Sequence, residues 1–469
     1  SSLSISSWFL TSAHFNFFLF LVRHMIGRMS IESHGGHLLH CILYFTWLYG
    51  FIYFSGALGD NPGGFIDPWV EYGSLLTYFL FLARCISFTT LPQMCFTLSG
   101  LLGFNAFPPP VSLKTESPPQ DWPFICFRVV TRGLYPSLVK RTLEENLHII
   151  RSLGLENFII EVVTDTPIGL PEAKSSREVL VPTDYKPTSG ALNKARALQY
   201  CLESGVNTLK DEDWIVHLDE ETLLTTNSLK GILNFVSEGS SDFGQGLVIY
   251  ARHPPQLKNF WQVVQIEYAL WRIVFLRFQL RVFGKPLFGW KGSYVVSSFD
   301  NGPEGSKAED CYFGILAMSR GHSFDFIEGE MLEKSPFTFL DFFRQRKRWM
   351  QGIFLVVASG RIPLRSRLLL GLSLFSWLTM PLSASNILLS AVFLSPCASG
   401  LYMYFYGFVK QFPIRRYSFP RLLLSIPEIL LASTVSIIAE NIAILSIWSG
   451  DWYGFYIVQK ETYEDEIVV

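Results

Sequence analysis

The sequence predicts an α/β protein, a mostly parallel sheet with helices on both faces, inserted between transmembrane helices. Three observations predict it. Strand-like and helix-like segments alternate from residue 121 to 335. Long uncharged apolar stretches flank that region on both sides. The chain is also 49% apolar, with 41 Phe, 17% charged residues and a mean hydropathy of +0.27. That is too greasy for an ordinary soluble enzyme.

In chain order, residues 1–28 read either as an artefact ahead of a start at Met29 or as a weak anchor resembling a signal h-region. Residues 38–104 hold two candidate spans. The first, 38–58, has no charge; the second, 74–104, is interrupted by Arg84 and Pro92. From Leu368 to Val409 no residue is charged, and those 42 positions suffice for two spans. Residues 422–448 add another, with Glu428 and Glu440 inside it. About three spans are thus expected over 367–448, five in all, followed by an acidic tail, 449–469. Loop 59–73 carries Asp60, Asp67 and Glu71 but no Lys or Arg, whereas 344–367 and 410–421 are basic. The positive-inside rule then predicts that the polar domain faces the cytosol.

Net charge is −2 and no basic run resembles a nucleic-acid patch. Seven scattered cysteines without a CxxC pair argue against a disulfide framework or a zinc site.

Within the polar domain, 121–343, strands are expected at 124–130, 157–165, 178–182 and 213–219. Helices are expected at 137–153, 190–205 and 229–239. Such alternation makes a parallel sheet, and parallel sheets bind ligands at the carboxyl ends of their strands. Asp165 and Asp219 stand where two strands stop. No GxGxxG, P-loop, GxSxG or HExxH motif occurs.

Asp219 and Glu221 are two apart on an extended segment, so both can point the same way. Two carboxylates holding Mg²⁺ or Mn²⁺ would neutralise charge on a departing nucleoside diphosphate. A solvated turn before a helix accounts for the same residues. Glu309 and Asp310 open an apolar helical run, as a general base or as N-terminal helix charges. Trp290, between glycines in "GWKGSYVV", offers a ring to a sugar or packs in a core. In "QRKRWMQG", Gln345, Arg348 and Trp349 share one side of a helix, in a stretch that would also serve as an interfacial anchor over 344–366. Glu440 and Asn441 are costly inside a span and should face other spans, for packing or to line a lipid path.

The ordered set Asp165, Asp219-Glu220-Glu221, Glu309-Asp310 and Gln345-Arg346-Lys347-Arg348-Trp349 resembles the D, DxD, [TE]D, QxxRW series of membrane-embedded family 2 glycosyltransferases. More closely, "FRVVTRG", "ENFIIEVVTD", "DWIVHLDEETLLT", "KPLFGWKGSYVV", "GSKAEDCYF" and "QRKRWMQGI" resemble the egghead family of β-1,4-mannosyltransferases, from about His37 to near the C-terminus. The resemblance implies a GT-A fold and an inverting transfer of mannose from GDP-mannose onto glucosylceramide, in glycosphingolipid biosynthesis. It implies Asp310 as base, and donor contacts from Thr131, Asp165, Lys186, Asn193, Asp219, Gln345 and Arg348. Acceptor contacts fall to Trp290 and Trp349, and a divalent cation, Mn²⁺ or Mg²⁺, to Asp219 and Glu221. The second DxD acid is Glu here, which leaves the choice of metal open. The resemblance further implies a multi-pass protein of the ER or Golgi, with a nucleotide-sugar donor, a glycolipid acceptor and the bilayer as partners, and no nucleic acid. Two other readings stay open: a processive polysaccharide synthase or ceramide-type glucosyltransferase using a UDP-sugar, and a non-catalytic scaffold or lipid transporter on a retained fold.

Overall fold

The computed structural model describes residues 34–54, 67–114, 118–171, 173–250, 260–265, 274–291, 294–297, 307–336, 338–381, 394–412 and 418–450. The readings made for residues 1–28 and for all but the first two residues of the tail 449–469 lie outside them.

A seven-stranded sheet forms the centre of the polar domain. Its strands are β1 (Ile125–Thr131), β2 (Phe158–Thr164), β3 (Ser176–Leu180), β4 (Trp214–Asp219), β5 (Phe243–Tyr250), β6 (Val295–Ser297) and β7 (Phe324–Glu333), in the order β3-β2-β1-β4-β6-β5-β7. The parallel expectation holds for six of them. β6 alone runs against both neighbours, β4 and β5. β1, β2 and β4 read as near-continuous apolar runs because a parallel sheet is covered on both faces.

Helices cover both faces. Phe127, Val129, Val216 and Leu218 pack against α4 (Pro136–Ser152) and α6 (Thr226–Glu238). On the opposite face, Val163 and Val179 meet α5 (Asn193–Tyr200), and Phe243, Val295 and Phe326 meet α7 (Glu309–Ser319). α6 starts three residues earlier than expected. The Thr225 side chain accepts from Ser228 N–H, and Ser228 reciprocates, which fixes that end. α5 is shorter than expected, because Gly190 and Gly205 lie outside it as left-handed turn residues.

One row of polar side chains crosses the sheet beneath α5. Arg177, Glu161, Arg128 and His217 are register partners on β3, β2, β1 and β4. Arg128 and Glu161 are fully buried and joined by Nε–Oε1 at 2.6 Å. Arg177 grips the other oxygen of Glu161 from the sheet edge. Burying these charges is expensive, and each is tolerated only because its partner is in place.

Further helices precede and follow this domain in the chain: α1 (His34–Phe54), α2 (Gly73–Ser87) and α3 (Leu91–Gly103) before it, and α8 (Phe339–Ala358), α9 (Leu364–Leu378), α10 (Leu394–Gln411) and α11 (Phe419–Leu445) after it. Among the described residues, two helical stretches are long and apolar enough to cross a membrane: Gly73–Gly103, which joins α2 and α3, and Pro420–Leu445 within α11. The expected five spans are therefore not reproduced. Parts of two expected segments, 55–58 and 382–393, lie outside the described residues.

Glu161→Leu leaves two guanidinium groups facing an apolar side chain. It should cost about 3–5 kcal/mol of folding stability, read as a lowered melting temperature of the purified protein. Arg177→Met, at the more exposed end of the row, should cost less.

Candidate active site

Parallel pairing decides where the site lies. Thr131 pairs with Thr164, and Val130 with Asp219, so β1, β2 and β4 end at one edge. Asp165 follows β2 there and Asp219 closes β4 there.

The first turn of α5 brings a cation to each acid. Lys194 Nζ lies 2.5 Å from Asp219 Oδ1. Two residues on, Arg196 Nη1 lies 2.8 Å from Asp165 Oδ1, while its Nε donates to the Tyr185 carbonyl at 3.1 Å. Asn193, which begins the helix, has φ of 53°. Asn tolerates that left-handed backbone better than most residues do.

Lys194 also feels Glu309 and Asp310, at the start of α7. Burial alone would lower its pKa, but the three acids outweigh that and push it up to about 12. Glu309 is raised to about 7, first by burial and then by Asp310, against the opposing pull of Lys194 and Arg348. So the strand-end acid, the paired acids of α7 and the arginine of α8 share one electrostatic neighbourhood. Asp310 Oδ1 accepts from Cys311 N–H at 2.8 Å, which fixes the carboxylate at the head of its helix.

The acid loop after β4 is tightly held. Asp219 N–H donates to Thr222 Oγ1 at 3.1 Å, and that hydroxyl donates to Glu333 Oε1 at 3.1 Å. Lys291 Nζ meets the other Glu333 oxygen at 3.2 Å. Glu220, the middle acid, accepts from the Thr131 hydroxyl. Glu221 is buried on the same loop. Asp219 and Glu221 supply hard carboxylate oxygens, a donor set that suits Mg²⁺ or Mn²⁺. Among the described residues, no three His, Cys, Asp or Glu side chains form a ready-made metal cage.

α8 packs beside the head of α7. Gly352 is needed there, since a Cβ on it would lie 2.7 Å from that of Ala308, just before the paired acids. Lys307, buried beside it, donates to Gln351 Oε1 at 2.9 Å. Gln345 Oε1 accepts from Gln265 at 3.3 Å.

The expected residues are thus brought together unequally. Asp219, Asp310 and Arg348 converge, and Thr131 touches their loop. Asp165 sits at the same edge. Lys186 is exposed on the connection ahead of α5, and the lysine that reaches the acids is Lys194. The expectation that Trp290 stacks on an acceptor sugar is corrected. Trp290 is 3% exposed, and it packs on Phe324 and against Gly314, where a Cβ would come within 2.5 Å of its ring. Trp349 stays half-buried. Lys194 and Arg196 were missed because an amphipathic helix offers lysines and arginines as ordinary solvated residues. The available signal was charge balance, since several acids at one rim require cations.

The family model described as glycosyl transferase family group 2 matches residues 214–410. The chain is 48% identical over 454 residues to the β-1,4-mannosyltransferase egh of Drosophila melanogaster, across 92% of this chain and 98% of that protein. It is 46% identical over 449 residues to the β-1,4-mannosyltransferase bre-3 of Caenorhabditis elegans, across 91% and 98%. A solved mannosyltransferase from Pyrobaculum calidifontis, in complex with GDP-Man and Mn²⁺, aligns with 79% of this chain and 99% of its own at 13% identity and a TM-score of 0.43. TarS 1–349 of S. aureus gives 13% identity and a TM-score of 0.33, over 72% and 97%.

Glu309 holds its proton more tightly in the folded state than in the unfolded one. Its contribution to stability is therefore lost as pH rises from the ordinary carboxyl range to about 7. Glu309→Gln should raise the melting temperature at pH 8 and leave it nearly unchanged at pH 4. Equal shifts at both values would refute this placement of the charge.

Proposed function

The chain belongs to the β-1,4-mannosyltransferase family that includes egh and bre-3, and from that premise we propose that it transfers one mannose from GDP-mannose to glucosylceramide, with inversion. The observation that carries the reading is the meeting of Asp219, Glu309 and Asp310 around Lys194 at the carboxyl edge of the sheet, with Arg348 acting on Glu309.

In this reading the 4-hydroxyl oxygen of the acceptor glucose attacks C1 of the mannose. The bond from C1 to the diphosphate breaks and GDP leaves. Asp310 takes the hydroxyl proton, its carboxylate oriented by the Cys311 N–H. One in-line displacement turns an α-linked donor into a β product, so one base suffices. A glycosidase would need a second carboxyl flanking the bond.

Asp219 and Glu221 would hold a divalent ion, Mn²⁺ or Mg²⁺, which would supply charge neutralisation for the departing diphosphate. Lys194 and Arg348 add fixed positive charge beside it. Asp165, held by Arg196, serves the nucleoside end, with Thr131 and Asn193 lining the donor side. Gln345 serves the diphosphate and Trp349 the acceptor.

An acceptor with its tails in the bilayer requires a site at the interface. Apolar α11 and the joined α2–α3 stretch support that placement. The full proposal is a multi-pass protein of the ER or Golgi with its catalytic domain facing the cytosol, argued from the basic stretches 344–367 and 410–421.

Purified full-length protein, incubated with glucosylceramide, Mn²⁺ and either GDP-mannose or UDP-glucose, tests the reading by product mass. One added hexose from GDP-mannose is expected. Transfer from UDP-glucose alone, or a ladder of many sugars, overturns it. Asp310→Asn should lower turnover by about 10²–10⁴-fold, and EDTA should abolish transfer until Mn²⁺ or Mg²⁺ is restored.

A further inference from the structure

A buried ion pair joins the helix of Gln345 and Trp349 to the C-terminal apolar helix. Arg346 of α8 is fully buried, and its Nε donates to Glu440 Oε1 of α11 at 3.1 Å. The other oxygen of Glu440 accepts from Trp377 Nε1 of α9 at 3.2 Å. One carboxylate inside an apolar helix therefore ties three helices together. A charge in such a segment is costly and persists where it does something specific.

The other end of Arg346 leads to the site. Its Nη2 donates to Gln265 Oε1 at 2.9 Å, and Gln265 Nε2 donates to Gln345 Oε1 at 3.3 Å. The guanidinium also lies 4.5 Å from the ring centre of Trp349 and 4.4 Å from that of Phe342. Arg346 thus touches Trp349 directly and reaches Gln345 through one side chain. Arg346 and Trp349 stand three residues apart and are neighbours on the surface of α8. Met350, on the Arg346 side, packs against Ala443 and Ile447 of the C-terminal segment.

We propose that Arg346 and Glu440 are positioning residues for the transfer reaction, the ion pair fixing the rotation of α8 and so the places of Gln345 and Trp349. The proposal rests on the assignment of Gln345 and Trp349 to the transfer site. A small rotation of α8 would move both at once, and misplacement of about 1 Å costs on the order of 10²-fold in rate.

The test separates positioning from stability. Arg346→Met with Glu440→Leu removes both charges together, and buried pairs are often replaced by apolar side chains without loss of folding. This double variant should melt within a few degrees of the wild type yet turn over about tenfold more slowly or worse. Glu440→Gln is isosteric and keeps an oxygen for Arg346, so it carries the test if the double variant does not fold. It should melt normally with kcat lowered about threefold or more, and Glu440→Asp, which restores the charge, should recover part of that loss. A double variant or Glu440→Gln protein that melts like the wild type and keeps its kcat overturns the proposal. The variants are scored against the wild type on whichever donor and acceptor it turns over. Failure of the mannose assignment then shows in the wild type, and failure of the pair shows in the ratio.

Discussion

Like charges meet at the carboxyl end of this sheet, and the surrounding structure offsets their repulsion. Asp219 ends β4, and Glu309 with Asp310 begins α7. Lys194 stands among them, 2.5 Å from Asp219. The short helix that carries Lys194 also carries Arg196, whose guanidinium holds Asp165. Two cations, two residues apart, thus serve two strand ends that parallel pairing has already placed at one edge, on either side of β1. Parallel strands concentrate their termini at one edge. Acids gathered there must be balanced by groups from the helices that follow.

The same logic extends to α8. α8 is held on one side by Gly352 against Ala308 and by Lys307 against Gln351, next to the paired acids. The same Gln351 side chain also donates to the Ile447 carbonyl at 2.9 Å, and Arg346 grips Glu440 of α11. The helix is thereby fixed between the sheet domain and the C-terminal helix segment by polar contacts to both. Buried polar contacts specify a geometry more sharply than apolar packing does, because each fails unless both partners are in place.

Much of this was legible in the sequence. β1, β2 and β4 announced themselves as apolar runs, and β4 stopped on acids, which marked the rim. Glu309-Asp310 and the QxxRW helix stood out through their resemblance, in order along the chain, to the family 2 glycosyltransferase series. Other parts were not legible for physical reasons. β6 is only three residues long and runs backwards, so neither length nor periodicity marks it. Trp290 reads the same whether it stacks on a sugar or fills a core. What decides is Gly314, twenty-four residues away, whose missing side chain makes room for it. Lys194 looked like one more solvated residue of an amphipathic helix until the fold set it against Asp219. The Arg128–Glu161 pair is invisible to pattern reading, since a charged residue inside an apolar strand looks like an interruption. The count of spans drew on hydropathy and the alternation of flanking charges, neither of which separates a helix buried against its neighbours from one that faces lipid.

One member of the row across the sheet bears on how the rim responds to acidity. His217 lies two residues before Asp219 and on the same face of β4. An imidazole in that place would ordinarily make a site sensitive to the pH of its compartment. Burial, and then the charges of Arg128 and Lys194, hold the His217 pKa down to about 3. The ring remains a neutral filler throughout the range a living cell explores. His217 therefore adds no proton-dependent charge two residues before Asp219, because burial and the neighbouring Arg128 guanidinium disfavour its protonated form.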